Sequence, residues 1–276
     1  MRSLFVVLIF AGCIPPPPVY RVQRSARVPR PTAPLRTGEP LGGFVEASFG
    51  ATSLAETRDP RLAADDAAVE VPSQQVRGEL RFRLGRRAEL ALFEENAIDD
   101  SLHAVEPTQA PVEEGTPWGI GAAMRYSFTI PRAPALSIGT GLELMHWSIP
   151  YVEYRTCIEN CDGVPTMQVL RGTSGLPAFG FTLTPTYRVG PVALFASVAA
   201  RPHPTIVRKG TELYPEDTEE SESDVGMGAL NWIVQGGAEY RYMNLSLLAA
   251  VQYVVTRDPV SYAPSLALSL SLFLPD

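Results

Sequence analysis

The stretch Val76-Arg77-Gly78-Glu79-Leu80-Arg81-Phe82-Arg83-Leu84 switches character at every residue. Val76, Gly78, Leu80, Phe82 and Leu84 fall on one side of an extended chain, and Arg77, Glu79, Arg81 and Arg83 fall on the other. A helix would mix guanidinium and leucine around its circumference, so period two decides for a β-strand lying between two different media. Trp118–Thr129 repeats the pattern, with Trp118, Ile120, Ala122, Met124, Tyr126 and Phe128 on one face. So does the last stretch, where Leu266, Leu268, Leu270, Leu272 and Leu274 oppose Ser265, Ala267, Ser269, Ser271 and Phe273.

Working outward from these three places, the alternation predicts strands at about 43–52, 75–85, 88–96, 117–129, 135–148, 177–189, 191–201, 227–241, 244–256 and 263–274. Short connections near Gly85-Arg86-Arg87, Ile130–Pro134, Val189–Gly190 and Tyr242–Met243 alternate with long ones at 53–74, 97–116, 149–176 and 202–226. Tight turns at one end and long loops at the other fit a barrel inserted from one side of a membrane. Strands of this length suit a tilted crossing, and closure satisfies every backbone group in a solvent that offers no hydrogen bonds. Trp118, Tyr126, Phe128, Tyr187, Trp232, Tyr240, Tyr242 and Tyr253 sit near strand ends, where interface anchors belong.

The whole of 43–274 therefore resembles the general class of small bacterial outer-membrane β-barrel proteins. The resemblance implies an all-β fold, a transmembrane antiparallel up-and-down barrel of about 10 strands. Phe273 resembles the terminal aromatic that barrel-assembly machinery recognises. A soluble secreted β-barrel that binds a ligand is the rival, because it shows the same alternation with its apolar face turned inward.

Composition removes other classes. The 276 residues carry a formal net charge of −7, which argues against binding nucleic acid. No run of about 18 apolar residues offers a helical span. The opening Met1–Cys13, MRSLFVVLIFAGC, has one basic residue, a short apolar run and small residues before a cysteine, the layout of an export signal. Ala11-Gly12-Cys13 resembles the bacterial lipobox, which implies a signal peptide over 1–12, lipid (palmitate among its chains) on Cys13, and delivery to the outer membrane. With Cys13 so used, Cys157 and Cys161 remain, close enough to form a disulfide. A zinc site would need four ligands and these supply two.

Residues 14–40 hold eight prolines and five arginines. They read as an extended linker able to reach on the order of 80 Å, a soluble tether. The expected organisation is thus 1–12 signal peptide, 13–42 lipidated cysteine and linker, and 43–276 barrel. Both termini are expected on the periplasmic side of the outer membrane.

If leucines face lipid, the lumen receives Arg77, Glu79, Arg81, Arg83, Arg125, Glu143, Arg188, Arg201, Glu239 and Arg241. The arginines among them suggest a narrow anion-leaning pore; pairing with the carboxylates suggests a plug of ion pairs instead. Acidic residues gather in 97–116, with Glu94 and Glu95 on its approach, and in 202–226. They read as solvated loops, with calcium binding a weaker reading. His146-Trp147-Ser148 has the His-x-Ser spacing of outer-membrane lipid A deacylases, on the lipid side with Leu142 and Leu144. That resemblance implies a lipid-modifying hydrolase, although Ile149 and Pro150 follow where the family carries asparagine. Omptin-type proteases need paired aspartates and an Asp-x-His that have no counterpart here. The leading expectation is a non-enzymatic envelope role: structural, surface interaction or narrow solute passage. Its partners would be outer-membrane lipid, lipopolysaccharide and a small solute, with no cofactor or metal required.

Overall fold

A computed structural model describes residues 18–37, 43–53, 67–72, 74–98, 115–209, 222–255 and 264–275. Among them are twelve strands: β1 Val19–Arg27, β2 Gly43–Ser53, β3 Ala67–Glu70, β4 Gln75–Arg83, β5 Ala88–Ala97, β6 Trp118–Ile130, β7 Ala133–Glu159, β8 Met167–Val189, β9 Val192–Lys209, β10 Glu222–Tyr242, β11 Leu245–Val255 and β12 Ser265–Pro275. Ten of them, β2 and β4 to β12, pair antiparallel with their sequence neighbours, and β12 returns to β2 to close the ring. The fold is a transmembrane up-and-down β-barrel.

The two faces settle the choice between lipid and water. Leu142, Leu144 and Phe179 are 64%, 70% and 67% exposed on the outer wall, and the leucines of β12 join them. Arg77, Glu79, Arg125 and Glu143 are buried inside. A soluble barrel inverts this order, because exposed leucine in water forfeits its hydrophobic transfer energy while buried arginine loses its hydration. Trp118, Trp232 and Tyr253 ring the outer wall towards the long-loop end, and Tyr126, Tyr187, Tyr240 and Tyr242 ring it towards the short turns. Both girdles match amphipathic anchoring at two interfaces.

The strands differ from expectation in length. β7 runs eleven residues beyond Ser148, and β8 begins ten residues before Pro177. Together they form a hairpin that stands clear of the outer girdle, closed near its tip by the Cys157–Cys161 disulfide. Asn160 (φ 55°) and Gly163 (φ 81°) turn the chain there. Pro150 lies within β7. It falls in a gap on one edge of β7, where pairing with β6 ends at Ser148 and pairing with β1 starts at Tyr151. A residue without an N–H costs nothing where no partner strand asks for one.

β1 and β3 lie outside the ring. β1 runs antiparallel along the projecting part of β7, from Val19 beside Glu159 to Ala26 beside Tyr151, and β3 adds to it in parallel. From there the chain turns inward. Ser25 to Thr37 are buried without interruption, and β2 then starts at the short-turn end, with Gly43 beside Pro275 and Val45 beside Phe82. Ser25–Thr37, part of the linker expected as a soluble tether, therefore lie lengthwise inside the barrel. The described N-terminal end at Pro18 and the C-terminal strand end lie at opposite ends of the barrel; the terminal residues themselves, on which the expectation of a shared periplasmic side falls, lie outside the described residues.

Small residues on the inner face make this passage possible. Ala91, Ala123, Ala199, Ala250 and Ala267 point inward and are all but inaccessible. Leu35 packs with Phe195, Leu248, Ala250 and Ala267, and Ala33 packs with Ala199, Ile233 and Val254. A Cβ on Gly50 would collide with Leu35 Cδ1, so glycine there leaves the space that Leu35 fills. Prolines suit such a path because each brings one fewer backbone donor to satisfy away from water.

Candidate functional site

The inner face of β4, β5, β6, β7 and β9 carries a ladder of ions. Register brings them together: Arg77 stands directly across from Glu95, and Arg125 from Glu89. Glu79 accepts hydrogen bonds from Arg77 Nε at 3.0 Å, from Arg125 Nη2 at 3.0 Å, and from Arg81. Glu143 accepts from Arg77 at 3.1 Å and Arg125 at 3.4 Å, and pairs with Arg201. Glu95 accepts from Gln75 and Arg201, each at 3.2 Å, and pairs with Arg77. The Arg77 guanidinium also stacks over the Phe93 ring, 3.8 Å from its centre. Nearer the short turns, Glu239 receives Arg188 at 3.1 Å, Arg241 at 3.0 Å and the Ser246 hydroxyl. Arg83 lies at that rim and donates to the Gly85 carbonyl at 3.0 Å.

The inward-facing charges expected from alternation thus fall into two groups, one mid-lumen and one near the short turns. What alternation left out is the acid that balances them. Glu89 and Glu95 belong to the ladder, and Glu95, expected on the approach to a solvated loop, is 1% exposed. Its parity matches Ala91 and Phe93 on β5, which was the available signal; an acidic neighbourhood obscured it. Counting Glu89 and Glu95 weakens the case for an anion-leaning pore.

The threaded segment is bound into this ladder. Arg36 forms an ion pair with Glu89. Arg201 Nη1 donates to the Thr32 carbonyl at 2.8 Å, His203 Nε2 contacts the Pro29 carbonyl, and Arg241 reaches the Thr37 hydroxyl at 3.5 Å. Gln252 holds Ala33 from both sides, accepting from its N–H at 3.3 Å and donating to its carbonyl at 3.4 Å. A cleft lined by Pro34, Arg36, Glu89, Arg125, Thr182 and Ser197 runs between the segment and the wall. Side chains and main chain of Ser25–Thr37 lie within the lumen.

Comparison with solved structures finds distant likenesses. LpxR from Salmonella typhimurium is similar over 83% of this chain and 100% of its own, at 8% identity and a TM-score of 0.40. The translocator domain of the autotransporter NalP from Neisseria meningitidis is similar over 83% and 86%, at 10% identity and a TM-score of 0.31. OmpF of Salmonella typhi, in its complex with daunomycin, is similar over 83% and 96%, at 8% identity and a TM-score of 0.26. All three are outer-membrane β-barrels. No family model matches the sequence, and no curated protein does. The likeness is one of fold class.

His146 is on the outer wall, as the alternation with Leu142 and Leu144 predicts, and Ser148 is half-buried two residues on, level with Trp118. Behind them Ile149 and Pro150 are buried and offer neither an amide side chain nor a carboxylate to orient the imidazole. Gly175 faces this pair from β8; a Cβ there would meet His146 Nε2 at 3.0 Å. Cys13 and most of the acidic stretches in 97–116 and 202–226 lie outside the described residues. Beyond the outer girdle, Glu153 of β7 holds β1 through its ion pair with Arg24, and it also pairs with Arg155 on its own strand. Burial works against its charge, yet hydrogen bonds from those two guanidiniums keep its carboxyl below the usual carboxylate range.

Proposed function

We propose that this protein is a closed barrel of the outer membrane with a non-enzymatic envelope role, a scaffold that carries the projecting sheet of β3, β1, β7 and β8 outside the cell. The observation that carries this reading is the filled lumen, in which Ser25–Thr37 and the Arg–Glu ladder together take the place of a water path. The alternation of long and short connections supports placing the projecting sheet outside, because barrels of this class keep their long loops on the cell surface. Lipid at the girdles and lipopolysaccharide around the projecting sheet are its natural surroundings. Signal-directed export and lipid on Cys13 belong to the same proposal, supported by the pattern of Met1–Cys13.

Conductance in planar bilayers tests it. The parent protein is expected to insert without steady single-channel events, and replacement of Val28–Thr37 by a glycine-serine stretch of equal length is expected to open a small, ion-conducting path. Steady channels from the parent protein would end the closed-barrel reading. A hydrolase at His146 and Ser148 has outward placement in its favour and no orienting group; an unchanged lipid A profile on expression is the expected result.

A further inference from the structure

The threaded segment determines more than closure: it determines on which side the N-terminal end emerges. We infer that the protein passes its N-terminal stretch through its own barrel, so that the described N-terminal end at Pro18 is presented on the long-loop face, opposite the end of the C-terminal strand. The inference rests on the reading above that this face is external, and it adds a sidedness that a periplasmic lipid anchor would reverse.

Three observations carry it. First, β1 is paired along β7 beyond the outer girdle, and its direction points Val19, not Arg27, away from the membrane. Second, the downstream chain is held at several levels of the lumen, by His203 at Pro29, Arg201 at Thr32, Gln252 at Ala33 and Glu89 at Arg36. It cannot be a strand lying loosely over the rim. Third, the distance is too great for a return. Cys13 stands five residues before Pro18, a reach of about 17 Å when fully extended. The part of β7 between Glu159 and Ser148 alone is about 36 Å long at 3.3 Å per residue, and the membrane lies beyond it. With the lumen filled by the segment itself, no second path leads back. A lipid on Cys13 therefore has no route to the inner leaflet while β1 stays docked, and the barrel strands must close around a chain already lying in the lumen.

Single-cysteine reporters in the full chain, expressed in the outer membrane of a Gram-negative host, test the sidedness with a membrane-impermeant maleimide. Pro18→Cys reports the N-terminal end, Met167→Cys the tip of the β7–β8 hairpin, and Arg86→Cys a short turn; the unsubstituted protein measures background from Cys13. On intact cells, Pro18→Cys and Met167→Cys are expected to label, and Arg86→Cys only after the outer membrane is permeabilised. If Pro18→Cys follows Arg86→Cys while Met167→Cys still labels on intact cells, the threading inference is overturned and the outward-loop reading stands. If Met167→Cys and Arg86→Cys exchange behaviour, the outward-loop reading falls and the inference with it. Failure of Pro18→Cys to label even in denaturant would mean that the mature chain starts after position 18, which also overturns the inference. As a second measurement, Ala33→Cys should resist the reagent in the folded barrel and react fully once unfolded; ready labelling in the native state would remove the segment from the lumen.

Discussion

The wall strand β12 and the threaded stretch Val28–Thr37 touch each other at Ala267 and Leu35, yet they obey different rules. In β12 every second residue is exposed to the hydrocarbon and the ones between are buried. From Val28 to Thr37 all residues are buried, apolar, prolyl and cationic alike. Periodicity in a sequence arises when the two faces of an element meet different surroundings. A chain enclosed on all sides by one barrel meets the same surroundings on every face, so its residues need no period. Arg36 is tolerated for the same reason that leucines are required outside: the side chain is matched to its surroundings, Glu89 for Arg36 and acyl chains for Leu268.

The largest test of this contrast removes an acid from the ladder. Glu143→Ala would leave Arg77, Arg125 and Arg201 short of a buried counter-charge, a loss of about 3–5 kcal/mol. Denaturant unfolding in lipid vesicles reads it, and a loss well under 1 kcal/mol would mean that water screens the lumen and that the ladder is not closed. Next comes the wall. Leu268→Arg puts a guanidinium on the lipid face near mid-strand, where about 2–4 kcal/mol is the expected cost. In the threaded segment the ion pair with Glu89 offsets part of the cost of burying Arg36; a neutral result at Leu268 would contradict the assignment of the outer face to lipid.

The smallest effect lies outside the membrane, at the clasp of β1. Because the carboxyl of Glu153 titrates lower in the folded chain than in the unfolded one, its contribution is complete above about pH 4.3 and fades as pH falls through the lower, folded value. Hydrogen exchange, corrected for its intrinsic pH dependence, should show β1 amides losing protection on acidification to pH values below that, with β11 amides unaffected. Equal protection of β1 at both acidities would detach Glu153 from the docking of β1.

Much of the wall was legible because two media imposed period two on it. Nine of the ten expected strand starts fall within five residues of the observed ones, and the exception is β8, whose outer part carries no clean alternation. The ladder was half legible: Arg77, Glu79 and Glu143 announced themselves by parity, while Glu95 was hidden among neighbouring acids. β1, β3 and the threaded stretch were not legible at all. Proline and arginine are what a solvated tether contains, and the same composition serves a chain that must avoid unsatisfied N–H groups and meet buried carboxylates. The inward alanines and Gly50 recorded the space, but not its occupant.

By itself, then, the sequence determined a ten-stranded wall, its two faces and the end at which its turns are short, because each follows from the spacing of residues along one strand. Only the tertiary structure decided what fills the lumen and that β1 docks beyond the long-loop end. Those depend on contacts between residues far apart in sequence, Ala33 with Gln252 and Arg36 with Glu89 among them, and no local pattern records a contact whose partner lies on another strand.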